Sequence, residues 1–241
     1  MATINENSHA KNIANLNLLN THIQNLGEAY KPSFASLKLE NLETMYAEAF
    51  EKQHQVNIIQ APYTLAVDYR ISLFAPLNRL ITKIKKSYQA SEGVSAAQME
   101  DFLSISRKIQ GKRKPVKKSS AANHDHSQEH STYQMSYVMR IQNLSLLISL
   151  LQNTPGYNPN EPEFQIPSLI QMKNEMESAS QKVAQTYLDL TIARDKRNNL
   201  LYHKPNNLVE LATKAKTYIL AIIEKNTPQY KAISKINFRL F

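Results

Sequence analysis

The 241-residue chain has no cysteine and only four glycines. Without a thiol, disulfide staples, thiolate metal sites and a cysteine nucleophile are all excluded. The glycines, Gly27, Gly93, Gly111 and Gly156, fall where helix ends or loops are expected. Strand-rich folds and Gly-loop nucleotide sites need many more positions of positive φ, so the shortage favours helices throughout. Long apolar runs are also lacking. The longest, residues 144–151, is far short of the roughly 20 residues of a membrane span. Residues 1–15 are polar and lack the apolar centre of a secretory signal. A soluble, cytoplasmic protein is the expectation. No Ser-His-Asp set, carboxylate motif, Walker loop or His-Glu-x-x-His pattern occurs. Catalysis, a cofactor and a small-molecule substrate are therefore not expected.

What is present first is positive charge. The chain carries 29 Lys and Arg against 20 Asp and Glu, a net charge of +9, which draws it toward anionic partners without naming one. Residues 1–110 are nearly neutral, with 11 basic and 10 acidic side chains. The excess is shared between residues 111–140, with 6 against 2, and residues 141–241, with 12 against 8.

Present next is an internal repeat. Asn15-Leu16-Asn17-Leu18-Leu19 matches Asn143-Leu144-Ser145-Leu146-Leu147 at an offset of 128. After one deletion, Tyr30-Lys31-Pro32 matches Tyr157-Asn158-Pro159. At the new offset of 127, Leu42, Met45, Glu48, Val56, Ala66, Asp68, Arg70 and Leu73 fall on identical residues from Leu169 to Leu200. A short insertion later, Leu80, Lys83 and Lys85 align with Leu211, Lys214 and Lys216. The expected fold is all-α, a tandem duplication of a roughly four-helix unit. Residues 1–110 form the first repeat, 111–135 a basic polar linker, and 136–241 the second repeat.

Each repeat opens with a helix, about 10–26 and 136–153, that a Tyr-x-Pro loop ends because proline cannot continue it. A long second helix carries an apolar seam. In the second copy it runs Leu169, Met172, Met176, Ala179, Val183, Thr186, Leu190, Ala193, Arg197, Leu200, an unbroken 3-4 spacing that predicts bundle packing. The first copy keeps the register from Leu42 to Leu73, and Pro62 is expected to kink or break it. A third helix, 77–90 and 206–225, and a short fourth, 96–109 and 228–236, complete the unit. Asn206 or Asn207, and Thr227 before Pro228, read as N-caps. Met45, Met99, Met172 and Met176 read as core fillers. Tyr30 and Tyr157 are expected to pack over a helix turn with the hydroxyl in water.

Arg70 and Arg197 fall on the apolar seam in the same register of their repeats. They are candidate anion sites or, as the expected reading, structural ion-pair positions whose partner lies on another helix of the same repeat. Lys112, Arg113, Lys114, Lys117 and Lys118 form a basic run that could contact a phosphate backbone. No stacking aromatics accompany it, so a solvated linker is the expected reading. His124, Asp125, His126, Glu129 and His130 have metal-like chemistry, but Ser, Asn, Gln and Ala around them offer no supporting shell. No dedicated metal site is expected.

Residues Gln134-Met135-Ser136-Tyr137, Tyr157-Asn158-Pro159-Asn160-Glu161, Ala193 through Tyr202 and Thr227-Pro228-Gln229-Tyr230-Lys231 resemble a family of bacterial two-repeat all-helical proteins without an assigned activity. The resemblance is clearest in the second half, and the first half departs from it at Pro62 and Pro76. It implies the architecture and carries over no functional residue. The expected function is a non-catalytic helical scaffold or protein-binding protein, a component of a larger assembly with a protein partner or with copies of itself. The alternative is a nucleic-acid-associated basic helical protein.

Overall fold

The computed structural model describes residues 4–112 and 135–240. Among these residues every regular element is helical and there is no strand. The helices are α1 (Ile4–Leu26), α2 (Leu39–Phe74), α3 (Leu77–Ala90), α4 (Ala96–Gln110), α5 (Tyr137–Gln152), α6 (Ile166–Asn198), α7 (Leu208–Ile222) and α8 (Pro228–Ser234). Single 3-10 turns precede α2 at Ala35–Leu37 and α6 at Pro162–Phe164, and a π turn at Asn199–His203 follows α6. None of the helices is long and apolar enough to cross a membrane.

Local chemistry sets the helix ends. Asn207 accepts from the Glu210 amide at 2.9 Å and Thr227 from the Tyr230 amide at 3.1 Å, satisfying N–H groups that have no partner within the helix. Ser95 and Gln98 form a reciprocal capping box at the start of α4. Gly111 ends that helix at φ 66°, a left-handed conformation that glycine adopts without penalty. Of the kink or break expected at Pro62, the break does not occur: α2 runs through it to Phe74. The proline leaves the Ile58 carbonyl without its helical donor. Both residues face solvent, so water can take that carbonyl and the helix has no need to stop.

The seam is the buried line of both long helices. Leu42, Ala49, Val56 and Ala66 of α2 are buried, as are Leu169, Met176, Ala179, Val183, Thr186, Leu190, Ala193 and Arg197 of α6. No seam residue of either helix is exposed.

The chain packs into two compact units, and these do not follow the order of the sequence. Unit 1 comprises Met1–Tyr63 and Thr186–Phe241; unit 2 comprises Thr64–Gln185. The expected partition at residues 110 and 136 is a partition of the sequence, whereas contacts divide the chain inside α2 and inside α6. The cores give the reason. In unit 1, Ile13, Leu16, Leu19 and Ile23 of α1 and Leu42 and Ala49 of α2 are buried with Leu208, Leu211, Ala212, Ala215 and Ile219 of α7 and Ile233 of α8. In unit 2, Leu77, Leu80, Ile81, Ile84 and Tyr88 of α3 and Phe102 and Ile109 of α4 are buried with Ile141, Leu144, Leu147, Ile148 and Leu151 of α5 and Leu169 and Met176 of α6. Each core therefore draws on both halves of the sequence. Of the expected linker, Gly111, Lys112 and Met135 are described, and residues 113–134 lie outside the described residues.

Candidate functional site

The two seam arginines meet different surroundings. Arg197, 1% exposed, sits in the last turn of α6. Its Nε and Nη2 donate to Asn198 Oδ1 at 3.1 and 3.0 Å, and its Nη1 donates to Gln53 Oε1 at 3.2 Å. Asn198 is its neighbour on α6, and Gln53 belongs to α2 in the first half of the sequence. A carboxamide oxygen holds a guanidinium without the cost of desolvating a second full charge. Arg70 is half-buried, with Cζ 4.0 Å from the centre of the Tyr137 ring, a cation–π contact. The two arginines thus share a register but not a contact, and each is engaged by protein groups.

The Tyr-x-Pro loops are tied by a bond the sequence reading missed. Tyr30 and Tyr157 are buried, and their hydroxyls donate to the carbonyls of Leu37 at 2.7 Å and Phe164 at 2.9 Å, seven residues on in each case. The 3-10 turn before each long helix folds that carbonyl back over the ring, so the hydroxyl does not reach for water. Burial pushes both phenols up to about 12, helped by Tyr218 beside Tyr30 and by Glu161 beside Tyr157.

Aromatic contacts mark the far end of each long helix. In unit 2, Phe74 meets Tyr137 edge-on at 4.8 Å between centroids. In unit 1, Tyr202 lies 5.5 Å from the His9 ring, with its hydroxyl 2.6 Å from His9 Nδ1. Three residues after Tyr137, Arg140 donates from Nε to the Ile109 carbonyl at 3.2 Å and from Nη2 to Asn78 Oδ1 at 2.9 Å. Its burial lowers its pKa from the ordinary arginine value, with the Tyr137 phenol opposing that fall. Three residues after His9, Asn12 donates to the Arg239 carbonyl at 2.8 Å.

In unit 1 a groove of about 340 Å³ lies between α1 and α2. Ala10 and Ala14 of α1 keep one wall low, because small side chains leave the helix backbone close to the surface, and Ile13 forms its floor from the core. The other wall is aromatic, with the Tyr46 and Phe50 rings 6.0 Å apart. Phe50 is 57% exposed, which leaves an apolar ring in water. Asn17, Gln53, His54 and Asn57 supply hydrogen-bonding groups, and among the described residues no Lys, Arg, Asp or Glu lines the groove. Sequence reasoning passed over Tyr46 and Phe50, although their spacing of four on one helical face was a usable signal.

Of the basic run, Lys112 follows the helix end at Gly111 and is exposed; Arg113, Lys114, Lys117 and Lys118 lie outside the described residues. The same holds for the histidine cluster at 124–130. Among the described residues no three His, Asp or Glu side chains are placed to hold a metal ion. Comparison with protein-family models, with curated proteins and with solved structures finds no match to this chain.

Proposed function

We propose that this protein is a non-catalytic helical scaffold that docks an apolar segment of a protein partner in the groove between α1 and α2. It is built, in this reading, by tandem duplication of a roughly four-helix unit. The observation that carries the function is a contrast at equivalent positions. The offset of 127 places Tyr46 on Lys173 and Phe50 on Glu177. In α6 those two residues form a 3.2 Å ion pair, so the second copy solves the same helix face with charge. The first copy keeps two rings instead, Tyr46 half-buried and Phe50 exposed, and an apolar ring left in water is favoured where a partner covers it. The groove suits an amphipathic helix that lays aliphatic side chains between the rings and the two alanines, with a hydrogen-bonding rim for its polar flank.

Several contacts support the duplication. The tyrosine-to-carbonyl bonds span seven residues in both loops. The π turn adds one residue to the helical register, so Tyr202 falls on Phe74 at an offset of 128, and His9 on Tyr137 at the same offset. The ring pairs at the two helix ends are then equivalent. The resemblance to a bacterial two-repeat family implies the same history.

The test exchanges one copy's chemistry for the other's. Tyr46→Lys with Phe50→Glu installs the ion pair that α6 already carries, so the helical circular dichroism and the melting temperature should survive. Binding to whatever protein co-purifies with the native chain should weaken by about thirtyfold or more, since aromatic anchors are each worth about 2 kcal/mol or more. Retention of that partner at full affinity by the folded double variant would remove the groove from the proposal. The nucleic-acid reading rests on the net charge of +9 and the run from Lys112 to Lys118. It requires binding to random duplex DNA that falls steeply with salt.

A further inference from the structure

Beyond α8 the chain continues without regular structure through residues 235–240, and side chains of α1 hold it in place. Asn12 grips Arg239 in both directions, donating to its carbonyl at 2.8 Å and accepting from its amide at 3.1 Å. Asn15 donates to the Asn237 carbonyl at 2.7 Å. Lys216 of α7 fastens the segment from behind, donating to the carbonyls of Ser234 at 2.9 Å and Ile236 at 2.6 Å. Between α1 and this strap remains a narrow slot of about 110 Å³, lined by Ser8, Lys11, Asn12, Asn15, Lys235, Asn237 and Arg239. The four α1 residues follow one helical face at spacings of three, one and three. Among the described residues, three of the seven that line the slot are cations and none is a carboxylate, and Lys216 adds a further positive charge at the strap.

Like charges gathered around a small volume repel one another, and the asparagines that bind the strap provide no negative charge to offset them. We infer that this slot binds one tetrahedral oxyanion, a phosphate group, clasped by Lys11 and Lys235 with Arg239 as a multi-donor fork. The volume admits a single such group rather than a nucleotide. Placement of two of the cations on a strap tied to α1 by three hydrogen bonds fixes part of the geometry before the anion arrives, which lowers the ordering cost of binding. The site is independent of the groove between α1 and α2: none of its residues lines that groove.

Phosphate chemistry can reach the slot as a free ion or as a group carried on a nucleic-acid backbone, and the experiment separates the two. Sodium phosphate is titrated into the full chain at constant ionic strength set with chloride, with amide NMR shifts as the readout. The expected result is saturable shifts concentrated at Lys11, Lys235, Asn237 and Arg239, and affinity about tenfold weaker in Lys11→Gln/Arg239→Gln. Binding of a random DNA duplex is measured in parallel against salt. A shallower salt slope in the double variant assigns the slot to a polymer phosphate, whereas an unchanged slope with phosphate binding lost assigns it to a free anion. Should the double variant fail to fold, the shift map of the unaltered chain decides alone. Non-saturating shifts, or shifts spread over the surface equally with chloride and phosphate, would overturn the site.

Discussion

At the scale of single residues, the sequence reading found the buried positions better than it found their partners. The 3-4 spacing placed Arg197 in the protein interior, because burial along a helix repeats with its turn. It could not show that Gln53 would accept from the guanidinium, since a hydrogen bond between residues 144 positions apart leaves no local pattern. Asn20 shows the same limit in reverse. It sits 3% exposed between Leu19 and Ile23 of α1, and neither its Oδ1 nor its Nδ2 has a hydrogen-bond partner among the described residues. The proposed duplication pairs it with Ile148, a buried core residue. A buried carboxamide without partners costs roughly 1–3 kcal/mol. Asn20→Ile should therefore raise the free energy of unfolding by about that amount in urea titration. A loss of stability instead would mean that the amide is held by something the packing of α1 does not reveal.

At the scale of elements, helix number, order and most boundaries were legible, because caps and prolines act locally. Thr227 before Pro228 fixed the start of α8 in this way. At Pro62 the sequence left a kink and a break both open, because the outcome depends on whether the orphaned carbonyl can find water, and exposure is a tertiary property. The Tyr-x-Pro loops were recognised as helix stops, yet their hydroxyl bonds arise only when a 3-10 turn brings the chain back.

That geometry has a consequence in alkali. Below about pH 10 the phenols of Tyr30 and Tyr157 are protonated in folded and unfolded chains alike, so their contribution is intact. Between pH 10 and about 12 the unfolded chain releases these protons while the folded chain holds them, and stability falls. The expected slope is about 1.4 kcal/mol per pH unit for each tyrosine. Tyr157→Phe should cost about 1 kcal/mol at neutral pH through the lost bond to Phe164, and should remove about half of the alkaline slope. Denaturant titrations from pH 8 to 12 check both; an unaltered slope in the variant would show that the Tyr157 phenol ionises equally in both states.

At the scale of the whole molecule, the match between the two halves is legible in the sequence, but how their surfaces are shared is not. Apolar burial is non-directional, so a seam on α1 is satisfied by any matching face. Here α1 is buried with α7, and α5 with α4, so that residues from both halves of the sequence build each core. That sharing is the central feature of the fold. Cutting the chain once between residues 113 and 134, at an inserted protease site, tests it most directly. Two domains following the sequence order would part as independently folded pieces. Because each fragment contributes to both cores, the nicked protein should instead elute as a single species of unchanged size, melt in one concerted process for the two fragments, and release them only in denaturant. Fragments that separate at micromolar concentration and each keep a full helical spectrum would contradict the shared cores.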